Sequence, residues 1–246
     1  MDKRLEKIVE NMEQNALGID DEFHFKCRVC GKCCKNRHDI MLTTRDLYNI
    51  AHELHRTTGY VVDRYCEAYI GGSSRIPIVR LKPTGPDQAC PLMRDKRCIV
   101  HTAKPVVCAI YPLGRAVNFE QMEENDETKI KPTYFFQPDA CGSRDQVHTV
   151  RSWLNQFGIP VEDEFFPLWT EMNTLMSTSF RDLESQNTPD EPMNRLWDIA
   201  FFHMYISYDT EKDLMPQYRE NMEKIRELLA LVDAPPDSLQ KVGVSN

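Results

Sequence analysis

Four thiols fall within eight residues in Cys27-Arg28-Val29-Cys30-Gly31-Lys32-Cys33-Cys34, a C-x2-C-x2-C-C run. Cys90, Cys98, Cys108 and Cys141 continue the series, and of the nine cysteines only Cys66 stands apart. Unrelated core cysteines have no reason to gather in this way. A soft or borderline metal does need several thiolates at one point, and four complete a tetrahedral zinc site or a four-iron cluster. Cys27, Cys30, Cys33, Cys34, Cys90, Cys98, Cys108 and Cys141 are therefore the candidate metal ligands. Cys66 lies beside Tyr65 in a helix-patterned stretch and reads as a plain buried thiol.

The spacing favours an iron–sulfur cluster, with zinc as the alternative. C-x2-C-x2-C matches the first three ligands of the bacterial ferredoxin run, and Cys90-Pro91 offers a distant fourth. Zinc sites more often pair two separated C-x2-C knuckles. In an extended stretch the adjacent Cys33 and Cys34 would point to opposite sides and face two centres, or two edges of one. Eight thiols fill two four-coordinate sites as readily as one site with four to spare. Lys26, Arg28, Lys32, Lys35 and Arg37 place five cations and no acid around the run. Such charge offsets the negative charge of a multi-thiolate centre. His24 and His101 lie near cysteines and read as neighbours or hydrogen-bond donors, not ligands. No Ser/His/Asp arrangement or pair of catalytic carboxylates follows from spacing, so no reaction is assigned.

The elements that must position these thiols are short. Phe23-His24-Phe25 is an extended entry to the first run, and Ile40-Met41-Leu42 is a short strand. Thr43 with Asp46 forms a helix start, and the apolar stripe Leu47, Ile50, Ala51 and Leu54 follows. A second helix is expected over 61–70, ended by Gly71-Gly72. Ile76–Leu81 reads as an edge strand because Pro77 has no N–H for a ladder. Thr133–Phe136 reads as a buried strand, and Glu120–Glu127 as a solvated acidic loop. Ser143 with Gln146 predicts a capping box. The helix after it would carry Val147, Val150, Trp153, Leu154 and Phe157 to Gly158. Helical patterns follow over 161–186, 190–207 and 211–232, with Pro167 and Pro216 as kinks or first-turn residues.

The fold class is α+β. An N-terminal helix is expected over 1–19, with Leu5, Ile8, Val9, Met12 and Ala16 on one face. A loop-rich, cysteine-coordinated metal domain follows over 20–145, then a helical appendage over 146–233 and a loose tail over 234–246. Charge follows the same division. Of the net −8, residues 1–145 carry +1 and residues 146–246 carry −9. The acidic balance argues against nucleic acid as the main partner and leaves a protein partner docking through the acidic helical region. No apolar run is long enough for a membrane span, and Met1–Glu6 lacks the apolar core of a secretory signal. Clustered cysteines then fit a reducing cytoplasm.

The cysteine pattern also resembles a known family. C-x2-C-G-x-C-C, Cys98-Ile99-Val100-His101 and Lys104-Pro105-Val106-Val107-Cys108-Ala109-Ile110-Tyr111-Pro112 look like the YkgJ-type cysteine-cluster (CxxCxxCC) family, a zinc- or iron-chelating domain. Lys104 stands where that family usually has Arg, His101 where it has Tyr, and Cys141-Gly142 lacks an intervening Pro. The resemblance spans about residues 25–145. It implies metal binding through the thiols. Some relatives are linked to lysine methylation, which makes a protein methylase a further reading by analogy alone.

Overall fold

The computed structural model describes residues 12, 14–117 and 132–232. The first part of the expected N-terminal helix, the acidic run Glu120–Glu127 and the tail from 234 lie outside these residues. The chain is α+β, with ten short strands and seven α-helices among the described residues. No helix is long and apolar enough to cross a membrane.

Packing cuts the chain differently from the linear division at 145/146. One compact unit joins residues 1–40 to 81–168, and the other joins 41–80 to 169–246. Residues 146–168 therefore belong with the thiols, and 41–80 belong with the C-terminal helices.

In the thiol-bearing unit, β1 (Ala16–Leu17), β9 (Pro132–Phe136) and β8 (Leu113–Val117) form a sheet in the order β1-β9-β8. Ala16 is thus strand, not the last turn of a helix. It sits opposite Phe135, so pairing overrides its helical preference. A second sheet pairs β2 (Glu22–Lys26) with β10 (Ser143–Thr149). Ser143 was expected to cap a helix, and that expectation fails. Residues 147–149 pair with 22–24, and the true cap is Thr149, whose side chain accepts from the Ser152 N–H. Helix α4 (Val150–Asn155) therefore starts six residues later, and Val147 is exposed instead of facing a core. Phe23, Phe25, Ile110, Leu113, Tyr134, Val150, Trp153 and Leu154 make the core. Trp153 meets Phe23 and Phe25 edge-on, and its indole N–H donates to the Ile110 carbonyl at 3.0 Å.

The second unit forms as expected at its start. Thr43 caps α1 (Thr44–Glu53) in a capping box with Asp46. Helix α2 (Thr58–Tyr65) is shorter than expected, because residues 66–70 leave it as strand β4 (Cys66–Ile70). β4 pairs with β5 (Pro77–Leu81), whose other neighbour is β3 (Met41–Leu42). β5 is thus the central strand, not an edge. Pro77 is tolerated because it is the first residue of the strand, before the ladder needs its N–H. Helices α5 (Phe165–Ser185), α6 (Asp190–Phe201) and α7 (Leu214–Val232) follow the expected segments, with Pro167 and Pro216 in first turns.

Helix α6 runs into a π-turn over Phe202–Ile206. The wider turn loosens the regular carbonyl ladder. Two hydroxyls from 41–80 take up its carbonyls: Thr44 donates to Met204 O at 2.6 Å, and Thr58 donates to Ile206 O at 2.9 Å.

Candidate metal centre

Each thiol-bearing segment is a tight bend. Gly31 takes φ +72 and starts a 3-10 turn over Lys32–Cys34, closed by the Cys34 N–H donating to Gly31 O at 3.1 Å. Cys33 and Cys34 are therefore not splayed as in an extended chain. Their sulfurs lie 3.9 Å apart. Two thiolates on one tetrahedral zinc would be separated by about 3.8 Å, given Zn–S bonds near 2.3 Å. The doublet thus suits one shared metal, contrary to the two-sided placement expected of it.

Backbone bonds tie the next segment to this turn. The Cys90 N–H donates to Cys34 O at 2.8 Å, and the Asn36 N–H donates to Gln88 O at 2.9 Å. Lys35 closes the same junction through Asp87. Strands β6 (Met93–Arg94) and β7 (Arg97–Cys98) then make a hairpin over Asp95 and Lys96, both at positive φ. That pair of angles is the mark of a two-residue type I′ turn. Cys98 ends the hairpin opposite Met93. Cys108 sits in the single-turn helix α3 (Val106–Ala109), entered through Pro105.

Cys141 is held by a tyrosine. The Cys141 N–H donates to the Tyr111 hydroxyl at 2.7 Å, and that hydroxyl donates to Cys141 Sγ at 3.5 Å. Burial and the bond to Cys141 push the Tyr111 phenol well above its usual range. Its ring is set edge-on to Phe25, which rests on Trp153. Next to Cys141, Gly142 has φ +144, and a Cβ there would lie 2.5 Å from the Phe25 ring and 2.9 Å from Lys26 O. Only glycine lets the strand approach this closely.

Electrostatics show which thiols are neighbours. Cys33 is pushed up, first by its hydrogen bond to Cys34 and then by burial. Cys34 is lowered by the same bond, against burial and the charges of Cys90, Cys108 and Cys98. Burial raises Cys90 and Cys98, and Cys33 adds to both. Burial also raises Cys141, which interacts with Cys30 and Cys33. Cys30, Cys33, Cys34, Cys90, Cys98, Cys108 and Cys141 thus share one electrostatic neighbourhood, in which Cys33 acts on Cys34, Cys90, Cys98 and Cys141. Cys27 is exposed, its sulfur accepting from the Val29 N–H at 3.4 Å. Cys66 is buried in the other unit.

The cations differ in part from expectation. Lys104, not singled out for charge by spacing, favours the thiolates of Cys33 and Cys98. Arg37 is held by Asp39 and feels Cys108 and Cys33. His24 bonds the Arg144 carbonyl, and His101 packs beside the Phe157 ring.

The family model CxxCxxCC, described as "Putative zinc- or iron-chelating domain", matches residues 26–148, half of the chain. The chain belongs to the CxxCxxCC family. No curated protein and no solved structure matches it significantly. The matched span opens at the end of β2 and closes near the end of β10, the two strands that pair behind the thiols.

The donor set fits the metal chelation of this family. Thiolates suit zinc and iron alike, and the 3.9 Å pair has the spacing of a shared metal. Among the described residues, no three His, Cys, Asp or Glu side chains are drawn together tightly enough to hold an ion as they stand. The thiols are neighbours across loops, and ligation would close those loops. Tyr111 is the functional residue that ligand spacing misses. Its only sequence signal is its place in the aromatic-Pro pair after Cys108.

Proposed function

We propose that this chain carries an iron–sulfur centre on the thiols of its first unit, used for electron transfer, sensing or a cluster-dependent modification. Supporting the reading is the electrostatic neighbourhood shared by Cys30, Cys33, Cys34, Cys90, Cys98, Cys108 and Cys141, together with the 3.9 Å Cys33–Cys34 pair and the backbone bond from Cys90 to Cys34. C-x2-C-x2-C is the iron–sulfur spacing, and four thiolates complete such a cluster. An iron–sulfur centre supplies one-electron chemistry when bound. The chain's own residues do the rest. Cys33 and its neighbours hold the centre. Tyr111 orients Cys141 through its main-chain N–H and its sulfur. Lys104 and Arg37 offset the negative charge. The core behind β2 and β10 keeps water from the inner side.

One observation favours a second reading, a structural zinc site. The Cys33–Cys34 spacing is that of two thiolates on one ion. Anaerobic purification followed by visible absorption, metal analysis and acid-labile sulfide separates the two. Iron and sulfide in similar amounts with a visible band support the cluster. A colourless protein loaded with zinc overturns it.

A further inference from the structure

Three exposed apolar side chains stand out around the thiols. Val29 is 54% exposed, Ile99 39% and Val107 38%. Each is the chain neighbour of a candidate ligand: Val29 precedes Cys30, Ile99 follows Cys98, and Val107 precedes Cys108. Val29 also has φ +49, a left-handed conformation that a β-branched residue rarely adopts. Backbone strain and apolar exposure at one residue both cost stability, and they tend to coincide at functional surfaces. The turn at Gly31 lies against the hairpin, with Lys96 Cβ 3.7 Å from where a Gly31 Cβ would be. The Val29 and Ile99 segments are therefore adjacent.

Charge says what kind of surface fits over them. Lys26, Arg28, Lys32, Arg94, Lys96 and Arg97 are all exposed on these same two segments. Residues 26–37 contain no acid, and Asp95 is the one acid between 94 and 104. This local excess of positive charge stands in a chain of net −8. An apolar centre ringed by one sign of charge is the layout of a transient protein interface, in which the charges steer and the centre holds.

We propose that this face docks an acidic protein over the thiol centre, with Val29 and Ile99 at the middle of the contact. The inference deepens the iron–sulfur reading by placing its partner on the basic thiol face and not on the acidic helices. The occupant is a small electron-transfer protein with an acidic surface, since contact next to Cys30 and Cys98 would bring a redox group close to the centre.

The test uses the full chain, purified anaerobically, with an acidic [2Fe–2S] ferredoxin as the probe and calorimetry as the readout. Binding is expected at low salt and should weaken by roughly tenfold or more between 50 and 300 mM salt. Lys96→Glu with Arg97→Glu should weaken it by roughly tenfold, and Val29→Ser with Ile99→Ser should weaken it without changing its salt dependence. Lys212→Glu, on the other unit, should leave it unchanged. Metal content is measured on every variant. Normal metal content with no ferredoxin binding, or with binding unaffected by the charge reversal, overturns the docking proposal and leaves the iron–sulfur reading standing. Absence of iron in the unaltered chain overturns the iron–sulfur reading itself. Binding of a single-stranded oligonucleotide in place of the ferredoxin also overturns the proposal.

Discussion

The two units of this chain achieve order by different means. The unit of 41–80 and 169–232 is ordered by burial. Leu47, Ile50, Val61, Val79, Met172, Met176, Phe180, Met204, Tyr218 and Ile225 are all nearly inaccessible, on long helices and a central strand. The thiol-bearing unit gathers its larger core behind β2 and β10, with Leu92 and Val100 also buried. In front of it, residues 27–36 and 83–108 are turns and elements of no more than four residues, with positive φ at Val29, Gly31, Asn36, Gln88, Asp95 and Lys96. Apolar burial fixes helices without further help, whereas such turns need a local constraint. Backbone bonds such as Cys90 to Cys34 supply part of it, and a metal would supply the rest.

The largest effect should come from Cys33, which pairs with Cys34 and acts electrostatically on most of the other thiols. Cys33→Ser is expected to abolish most metal loading and to lower hydrogen-exchange protection across 27–36 and 83–100. Protection in α7 should stay unchanged, and equal loss in both units would break the comparison. Trp153→Ala should destabilise the thiol-bearing unit by about 3–5 kcal/mol, since it removes the indole that supports Phe23 and Phe25. Denaturant unfolding followed by exchange would show whether that loss stays within one unit.

Gly142→Ala should cost about 1–3 kcal/mol, because its φ of +144 and the approach of Phe25 both exclude a Cβ. Wild-type stability in that variant would show that the strand can move aside. Tyr111→Phe removes one hydroxyl, at a cost of about 1 kcal/mol. It should shift the visible spectrum or metal affinity of the centre, whereas a purely structural hydroxyl would change only the melting temperature. Thr43→Ala should cost about 1 kcal/mol through loss of the α1 cap and leave metal content untouched.

Legibility in the sequence follows the same division. Thr43 with Asp46 announced α1, and the periodicities over 161–232 announced three helices, because cap chemistry and helical period are local. The thiols were legible by type and spacing. Their grouping was not, since it depends on contacts such as Cys90 to Cys34, 56 positions apart in the chain. Errors came where tertiary pairing overrode a local signal. Ser143–Thr149 reads as a helix start until β2 claims it, and residues 66–70 read as helix until β5 does. The doublet Cys33-Cys34 reads as two-sided in an extended chain, whereas the 3-10 turn that starts at Gly31 sets its sulfurs 3.9 Å apart.

The hydroxyl bonds at the π-turn have a consequence during synthesis. Thr44 and Thr58 emerge from the ribosome long before their acceptors, which lie 160 and 148 residues later. At roughly 5–20 residues per second, segment 41–80 waits on the order of ten seconds for the helices that complete its unit. Cys27 to Cys34 leave the exit tunnel before segment 41–80 does, and Cys90, Cys98, Cys108 and Cys141 follow within that interval. The nascent chain thus presents its full set of thiols while half of its other unit is still unmade, which gives metal delivery a window before the fold is finished.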